Sequence, residues 1–295
     1  MRTMRRSVAL VLLLGTVACA AAPPVASTQA VAPAAPAKLS ASEIAYRRAI
    51  ELNKQACDRG VAGKCNDLAM SYELGHGTPI DYVTALRYYK QACDGDSVEG
   101  CANLGALYDD GTGTAENKVE ASRLYEIACK RGSTRGCNHL GLHYFYGQGG
   151  RAQDDGKAVA LFTTACDARD AWACTNLGYM YWKGAGVTRD YPKCVELYRK
   201  GCAGGDPSGC RNLAIQQEGG EGTALDLAAA RASYQMACDL GGATGCRDLA
   251  RMYRDGVGVA VDLGAAKRFY KKGCDAGDAN ACSDLGDLEA PAPPR

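Results

Sequence analysis

The chain has 295 residues, of which 47% are hydrophobic and 23% are charged. These proportions are ordinary for a soluble protein with enough apolar side chains to form a core, and they exclude an intrinsically disordered chain. The formal net charge of +1 provides no positive field that would attract a phosphate backbone, so we expect no nucleic acid partner.

The N-terminus has the pattern of an export signal over residues 1–18. Three arginines precede an apolar run at residues 8–14, which is too short to span a bilayer. The end of this signal, Val17-Ala18-Cys19, resembles a bacterial lipobox, although Thr16 stands where an aliphatic residue is usual. We therefore expect lipidation at Cys19, with plain signal cleavage nearby as the alternative. The prediction is an exported protein, either a periplasm-facing lipoprotein of the bacterial envelope or a secreted protein, whose only membrane contact is a lipid anchor.

A tether and a first helix are predicted next. Residues 19–40 are rich in Ala and Pro and almost free of charge, which is typical of an extended linker. Ser40 is followed three residues later by Glu43, the pattern of a capping box, so a helix is expected to begin near Ala41.

Cysteine spacing organises the rest of the chain. Successive pairs start 36 residues apart, once 37, and the two cysteines of a pair are always eight apart. The seven pairs are Cys57 with Cys65, Cys93 with Cys101, Cys129 with Cys137, Cys166 with Cys174, Cys202 with Cys210, Cys238 with Cys246, and Cys274 with Cys282. Such regularity predicts an internal repeat.

Each repeat reads as two helices. We number positions from the second cysteine of a pair: Leu stands at +3 in all seven repeats, Tyr is usual at +7, and two glycines stand at +10 and +12 in the six complete ones. This spacing predicts an amphipathic helix, called helix A, that ends at a glycine turn. A second helix, called helix B, leads to the next pair, with an aromatic residue four before its first cysteine and a small residue eight before it.

Stacked hairpins of this kind share a continuous core that one hairpin cannot form alone. The predicted fold is all-α: an α/α superhelical solenoid over residues 41–288, with six hairpins and a half-repeat cap at each end. Residues 289–295 form a Pro-rich tail.

The paired cysteines are predicted to form disulfides. The first cysteine falls at the end of a helix B and the second at the start of the next helix A, so the loop between them can bring the two together. Zinc ligation is the competing interpretation, but the chain has no C-x-x-C cluster and only three histidines. Cys194 stands where other repeats have Ala and is expected to be a buried free thiol.

Two segments resemble a known repeat family. They are Asn103-Leu104-Gly105 with Tyr108, Gly111 and Gly113, and Asn176-Leu177-Gly178 with Tyr181, Gly184 and Gly186. Both are similar to the Sel1-like repeat, and the cysteine pair in every repeat resembles the Helicobacter cysteine-rich proteins of that family. The resemblance implies a fold related to tetratricopeptide arrays and a role as adaptor or scaffold. For some cysteine-rich members it also implies penicillin binding with weak β-lactam hydrolysis.

No catalytic or cofactor pattern is evident in the sequence. A serine β-lactamase needs S-x-x-K, which does not occur. His139 and His143 have the i, i+4 spacing of a metal-binding pair, but no third ligand is evident. We expect no metal or cofactor, and these two histidines are interpreted as polar residues of a groove.

The predicted binding surface is a row of polar side chains on the A helices. Position +2 is always polar, and position +6 adds a mostly apolar row with His143 in it. The surface residues are Asp67, Asn103, His139, His143, Asn176, Asn212 and Asp248. If the A helices line a concave face, as the resemblance implies, this row would bind a protein, a peptide or a glycan; the alternative is that these side chains only bond neighbouring backbone.

The function hypothesis is a monomeric, non-catalytic binding scaffold whose partner is a protein, a peptide or a peptidoglycan fragment. The alternative is a penicillin-binding protein with weak β-lactamase activity, which the family resemblance alone supports. The fifth repeat, where Gln217 replaces the usual Tyr, is expected to distort the groove locally.

Overall fold

The computed structural model describes residues 40–290, which form fourteen α-helices and no β-strand. Every helix packs on the next one in the chain, as expected for a solenoid. The helices are α1 Ala41–Asp58, α2 Ala62–Leu74, α3 Tyr82–Asp94, α4 Val98–Asp110, α5 Lys118–Lys130, α6 Thr134–Tyr146, α7 Asp155–Asp167, α8 Ala171–Lys183, α9 Tyr191–Ala203, α10 Pro207–Gly219, α11 Leu227–Asp239, α12 Ala243–Asp255, α13 Leu263–Asp275 and α14 Ala279–Glu289. The predicted all-α solenoid is confirmed.

Helix ends are set by short polar residues and by glycine. The capping box predicted at the start of α1 is present, since the Ser40 side chain accepts from the Glu43 backbone N–H and the Glu43 carboxylate accepts from Ser40. Later B helices begin at an Asp or Asn whose side chain accepts a backbone hydrogen bond. Helices α2, α4, α6, α8, α10 and α12 end at a glycine with positive φ, at position +10.

The core lies between the two helices of each hairpin and between neighbouring hairpins. The aromatic residues of α3, α5, α7, α9, α11 and α13 at the position four before the cysteine are at most 2% exposed, and the leucines at +3 of helices α2 to α12 are at most 6% exposed. Close approach is achieved by small residues at position +4 of the A helices. A Cβ on Gly141, for example, would lie 2.6 Å from the Phe162 ring, so the ring packs directly on the backbone of α6.

Seven disulfides cross-link the hairpins, each between the end of a B helix and the first turn of the following A helix. The Cα–Cα distances within the pairs are 4.3 to 4.7 Å. The bonds join Cys57 to Cys65, Cys93 to Cys101, Cys129 to Cys137, Cys166 to Cys174, Cys202 to Cys210, Cys238 to Cys246, and Cys274 to Cys282. These are the seven pairs expected from the spacing, and disulfides in this number are typical of proteins from an oxidising, extracytoplasmic environment.

One cysteine of the described residues stays outside these pairs. Within residues 40–290 the free thiol is Cys194, which is fully buried. Burial raises the pKa of this thiol to about 12. A thiol with so high a pKa is not ionised near neutral pH, so Cys194 is a core residue rather than a nucleophile.

The predicted signal, the tether up to residue 39, Cys19 and residues 291–295 lie outside the described residues. In the described part, no helix combines the length and the apolar character that a membrane crossing requires.

A candidate binding groove along the A helices

Four cavities lie along the face that the A helices form, and we call this surface the A-face groove. The first two cavities in chain order share Arg135 and the last two share Ile215, and the four together are lined by helices from α2 to α12. The cavities have volumes of about 420, 600, 210 and 340 Å³ in chain order. The side chains that line the groove come mainly from positions +1, +2 and +5 of the A helices. Position +5 lies one helical turn after the other two, so all three are on the same side of the helix.

Part of the predicted polar row lies in the groove as amide pairs between neighbouring A helices. Asn103 donates from Nδ2 to Asn66 Oδ1 at 2.9 Å, and Asn176 donates in the same way to Asn138 at 2.8 Å. The Arg135 guanidinium donates to the Asn103 Oδ1 at 2.7 Å. The partners are thus side chains of the adjacent repeat, not the neighbouring backbone.

The other predicted residues lie in different surroundings. Asp67 forms an exposed ion pair with Lys64 in its own helix at 2.7 Å. Asp248 of α12 accepts a hydrogen bond from Arg211 Nε of α10, the preceding A helix, at 2.6 Å. Asn212 lines a cavity with aromatic residues and is the one asparagine of the row without a similar asparagine partner among residues 40–290.

The two histidines differ from each other in exposure. The ring of His139 stacks on Tyr125 at 4.8 Å and still borders the largest cavity of the groove. Burial, followed by the nearby Arg135 charge, lowers the pKa of His139. His143 is only 2% exposed and contacts Asp109 Oδ1 through Nε2 at 3.1 Å. His143 therefore lies beneath the groove, and the prediction that it belongs to the binding surface is wrong.

The same burial is found at the +6 position of the other inner A helices, α4, α8, α10 and α12. Leu107, Met180, Gln216 and Met252, at the same position as His143, are at most 3% exposed. Successive residues are rotated by about 100° around a helix axis, so the side chain one residue earlier, at +5, reaches the groove instead. Met70, Tyr179 and Ile215 occupy that position and are 37% to 40% exposed.

An aromatic cluster in the middle of the groove was not predicted from the sequence. Both tryptophans of the chain belong to α8: Trp172 is 57% exposed and Trp182 is 38% exposed. Tyr179 stacks on Trp182 with ring centroids 5.7 Å apart, and Phe145 meets the edge of Tyr179. The available signal was that Tyr179 stands at +5, outside the +7 position at which tyrosine recurs.

Charged side chains follow the aromatic cluster toward α12. Arg251 Nη2 contacts Glu218 at 2.8 Å, and the same carboxylate accepts from the Tyr234 hydroxyl. Together with Arg211 and Asp248 they line a cavity of about 340 Å³. Within residues 40–290, no group of three or more His, Cys, Asp and Glu side chains is placed to hold a metal ion.

The fifth hairpin is regular, contrary to the expected distortion. Helix α10 has thirteen residues, as its neighbours do, and ends at Gly220 with a φ of 70°. Gln217, which replaces the tyrosine, accepts from Ser233 Oγ at 2.8 Å. The substitution therefore changes the side-chain chemistry and leaves the backbone unchanged.

A family model described as Sel1 repeat matches six segments, residues 65–97, 98–133, 134–170, 173–206, 207–242 and 243–278. The chain belongs to the Sel1 repeat family. Each matched segment spans most or all of an A helix together with the B helix that follows it, so the resemblance predicted from the sequence is confirmed. Sel1 repeats generally mediate protein–protein interactions.

This Sel1 repeat protein is also similar to solved structures. A Sel1 repeat protein from Oxalobacter formigenes gives a TM-score of 0.68 at 21% identity, covering 79% of this chain and 97% of that one. A protective antigen of uropathogenic Escherichia coli strains that displays an SLR fold gives 0.57 at 27% identity, covering 82% of this chain. This chain spans 60% of the length of that antigen.

A further similar structure is Helicobacter pylori cysteine rich protein B, at 27% identity over 45% of this chain and 96% of that chain, with a TM-score of 0.39. A comparison with curated protein sequences found no match.

Proposed function

We propose that this Sel1 repeat protein is an exported, non-catalytic scaffold that binds an extended peptide segment of a partner protein in the A-face groove. The observation that carries the proposal is that three exposed aromatic side chains of α8 line two successive cavities of that groove. Trp172 lines one cavity, and the stacked pair of Tyr179 and Trp182 lines the next. Trp and Tyr are enriched among the residues that contribute most binding free energy at protein interfaces. Leaving such rings in contact with water is unfavourable unless a partner covers them.

The polar part of the groove supports a peptide rather than a flat protein surface. The paired amides of Asn66 with Asn103 and of Asn138 with Asn176 recur along the array. A side-chain amide can donate to and accept from the main chain of a ligand, whatever the ligand's sequence. The exposed aromatic rings would then contact one or two side chains of the ligand.

The export part of the proposal is supported by the seven disulfides, which need an oxidising compartment to persist. Lipidation at Cys19 and the tether over residues 19–40 complete the proposal from the sequence pattern alone. Mass determination of the mature N-terminus would test the lipid anchor directly.

A library of synthetic capped peptides tests the proposed binding. Peptides selected on the oxidised wild-type protein should lose affinity by roughly tenfold or more when Trp172→Ala and Trp182→Ala are combined, because the main apolar contacts are removed. The control is Met236→Ala on α11, an exposed apolar residue outside the lining of the groove cavities. This control variant should bind the selected peptides with the same affinity as the wild-type protein.

Three outcomes would count against the proposal. Selected peptides that bind the double variant as tightly as the wild type would place the ligand elsewhere. Turnover of a chromogenic β-lactam by the oxidised protein, lost on mutation of a groove residue, would favour the enzymatic alternative. If the protein bound a peptidoglycan fragment and none of the peptides, the ligand would be a peptidoglycan fragment and not a peptide.

A further inference from the structure

One cavity of the A-face groove has a distinctive set of lining groups. It has a volume of about 210 Å³ and lies between α8 and α10 and the loop after α10. Its walls include the rings of Tyr179 and Trp182, the Asn212 amide, the Gln216 side chain and the carboxylate of Glu221. This combination of electron-rich ring faces with oxygen acceptors and one negative charge is the chemistry that recognises an organic cation.

The charge of this cavity differs from that of its neighbours. The other three groove cavities are each lined by at least one arginine, namely Arg135, or Arg211 together with Arg251. The lining of the α8–α10 cavity has Glu221 and no cation, and Glu221 forms no ion pair with the described residues. Lys183 is outside this lining, with its Nζ 4.9 Å from the Phe145 ring centroid and 6.0 Å from that of Tyr179.

A buried amide provides an independent observation. Gln216 is 3% exposed, and its Oε1 has no hydrogen-bond partner among residues 40–290. The flanking hairpins have Met180 and Met252 at the same repeat position, both completely or almost completely buried. An unpaired buried oxygen destabilises the fold relative to an apolar side chain of similar size, so the fifth hairpin has a polar group here at a cost.

The amide can be used by a ligand without loss of existing bonds. Rotation by half a turn about the last side-chain torsion of Gln216 exchanges the oxygen and the nitrogen, and that torsion is soft. No donor holds Oε1 in place, so the oxygen can turn toward the cavity. Gln216 and Glu221 would then present acceptors to the same cation from different sides.

We propose that the α8–α10 cavity is a subsite for a cationic side chain, a lysine ammonium or an arginine guanidinium, of the peptide bound in the A-face groove. The Glu221 carboxylate and the amide oxygens of Gln216 and Asn212 accept from its N–H donors, while the Tyr179 and Trp182 rings contact its methylene groups and charge. The subsite rests on the proposed peptide-binding function and specifies what that peptide must contain.

Small probes test the subsite without knowledge of the partner. We would titrate the oxidised protein with N-acetyl-lysine methylamide and N-acetyl-arginine methylamide, and with the neutral analogues built on norleucine and citrulline. The chain has two tryptophans, so the indole N–H signals in a ¹H–¹⁵N spectrum report on Trp182 in this cavity and on Trp172 in its neighbour. Trp172→Phe assigns the two signals.

A cationic probe should shift the Trp182 signal and leave the Trp172 signal in place, with an affinity roughly tenfold above that of its neutral analogue. Glu221→Gln should abolish most of that difference, whereas Glu116→Gln, an identical charge change in the loop before α5, should have no effect. The lysine and arginine probes show which cation fits better. Equal binding of charged and neutral probes, or no shift of Trp182 up to the solubility limit, would overturn the subsite.

Gln216→Met separates binding from folding. Because Met180 and Met252 are accommodated at this position, the variant should fold and unfold at a higher temperature than the wild type. It should nevertheless bind the cationic probe less tightly. Unchanged probe affinity in Gln216→Met and in Glu221→Gln together would refute the assigned acceptors.

The failure of the subsite and of the proposed function can be told apart. If selected peptides require Trp172 and Trp182 but show no preference for Lys or Arg, the scaffold function stands and the subsite is wrong. If the cationic probes bind as described while no peptide depends on the aromatic cluster, the cavity takes a free organic cation and the peptide function is wrong.

Discussion

The disulfides should stabilise the array by amounts that depend on their position in it. In the loop-entropy description, closing a ring of about nine residues stabilises the fold by about 2.5 kcal/mol. The disulfide between Cys166 of α7 and Cys174 of α8 is buried as well, because the two cysteines are only 6% and 2% exposed. Replacing both with Ala removes two buried sulfur atoms, which adds roughly 1–2 kcal/mol. We expect a total loss of about 4 kcal/mol from the free energy of unfolding.

The matched comparison is the last disulfide, Cys274–Cys282, which joins α13 to the capping helix α14. Cys282 is exposed, so replacing this pair with Ala removes little packing. In an array whose repeats contact only their neighbours, the loss affects the docking of α14 and leaves the rest of the array intact. The cost should be no more than about 2.5 kcal/mol.

Urea unfolding followed by circular dichroism would measure both variants with the other disulfides intact, and amide hydrogen exchange would locate the effect. The α14 amides should lose protection in the Cys274→Ala, Cys282→Ala variant, while the α8 amides keep theirs. An equal loss of stability in the two variants, or a larger one at the end of the array, would refute the reasoning that combines chain entropy with local burial.

Three further predictions concern single residues. Gly141→Ala should destabilise the fold by roughly 1–2 kcal/mol because the added Cβ would meet the Phe162 ring. Gly286→Ala, at the same repeat position but with open space around it, should stabilise the fold. If urea unfolding showed a change of the same sign in both variants, the packing argument would be contradicted. Cys194, whose pKa burial raises to about 12, should resist iodoacetamide until the protein is denatured; rapid labelling of the native protein would contradict this. Burial lowers the pKa of His139 in the folded protein, so the unfolded state takes up the proton more readily. The free energy of unfolding should therefore fall as the pH drops below about 6.5. His139→Gln should make this decline less steep, and an unchanged pH profile in that variant would exclude His139 as its origin.

The repeat architecture could be predicted from the sequence because it depends on periodicity. The cysteine spacing, the Leu at +3 and the paired glycines are local patterns, and each has a direct physical consequence for a helix or its end. Ser40 with Glu43 and the aromatic residues of the B helices belong to the same class of signal. Their structural outcomes follow from residues less than one repeat apart.

The binding surface could be predicted only in part, because the sequence shows which residues share a helix face but not which face stays uncovered. Asn103 and Asn176 lie in the groove with asparagine partners from the preceding repeat, and that pairing has no signature within one repeat. His143 stands at the same repeat position as Leu107 and Met180, and all three are buried in the packed array.

The sequence by itself therefore determined the helices, their order and the cross-links between them, since these follow from hydrophobic spacing, capping and loop length. Tertiary structure decided which side chains meet solvent in the groove. It stacked Tyr179 on Trp182 and left Trp172 exposed in the neighbouring cavity, and it left the Gln216 oxygen without a partner. The physical reason is that exposure depends on the angle at which neighbouring hairpins pack, and that angle is set by contacts between residues a repeat or more apart.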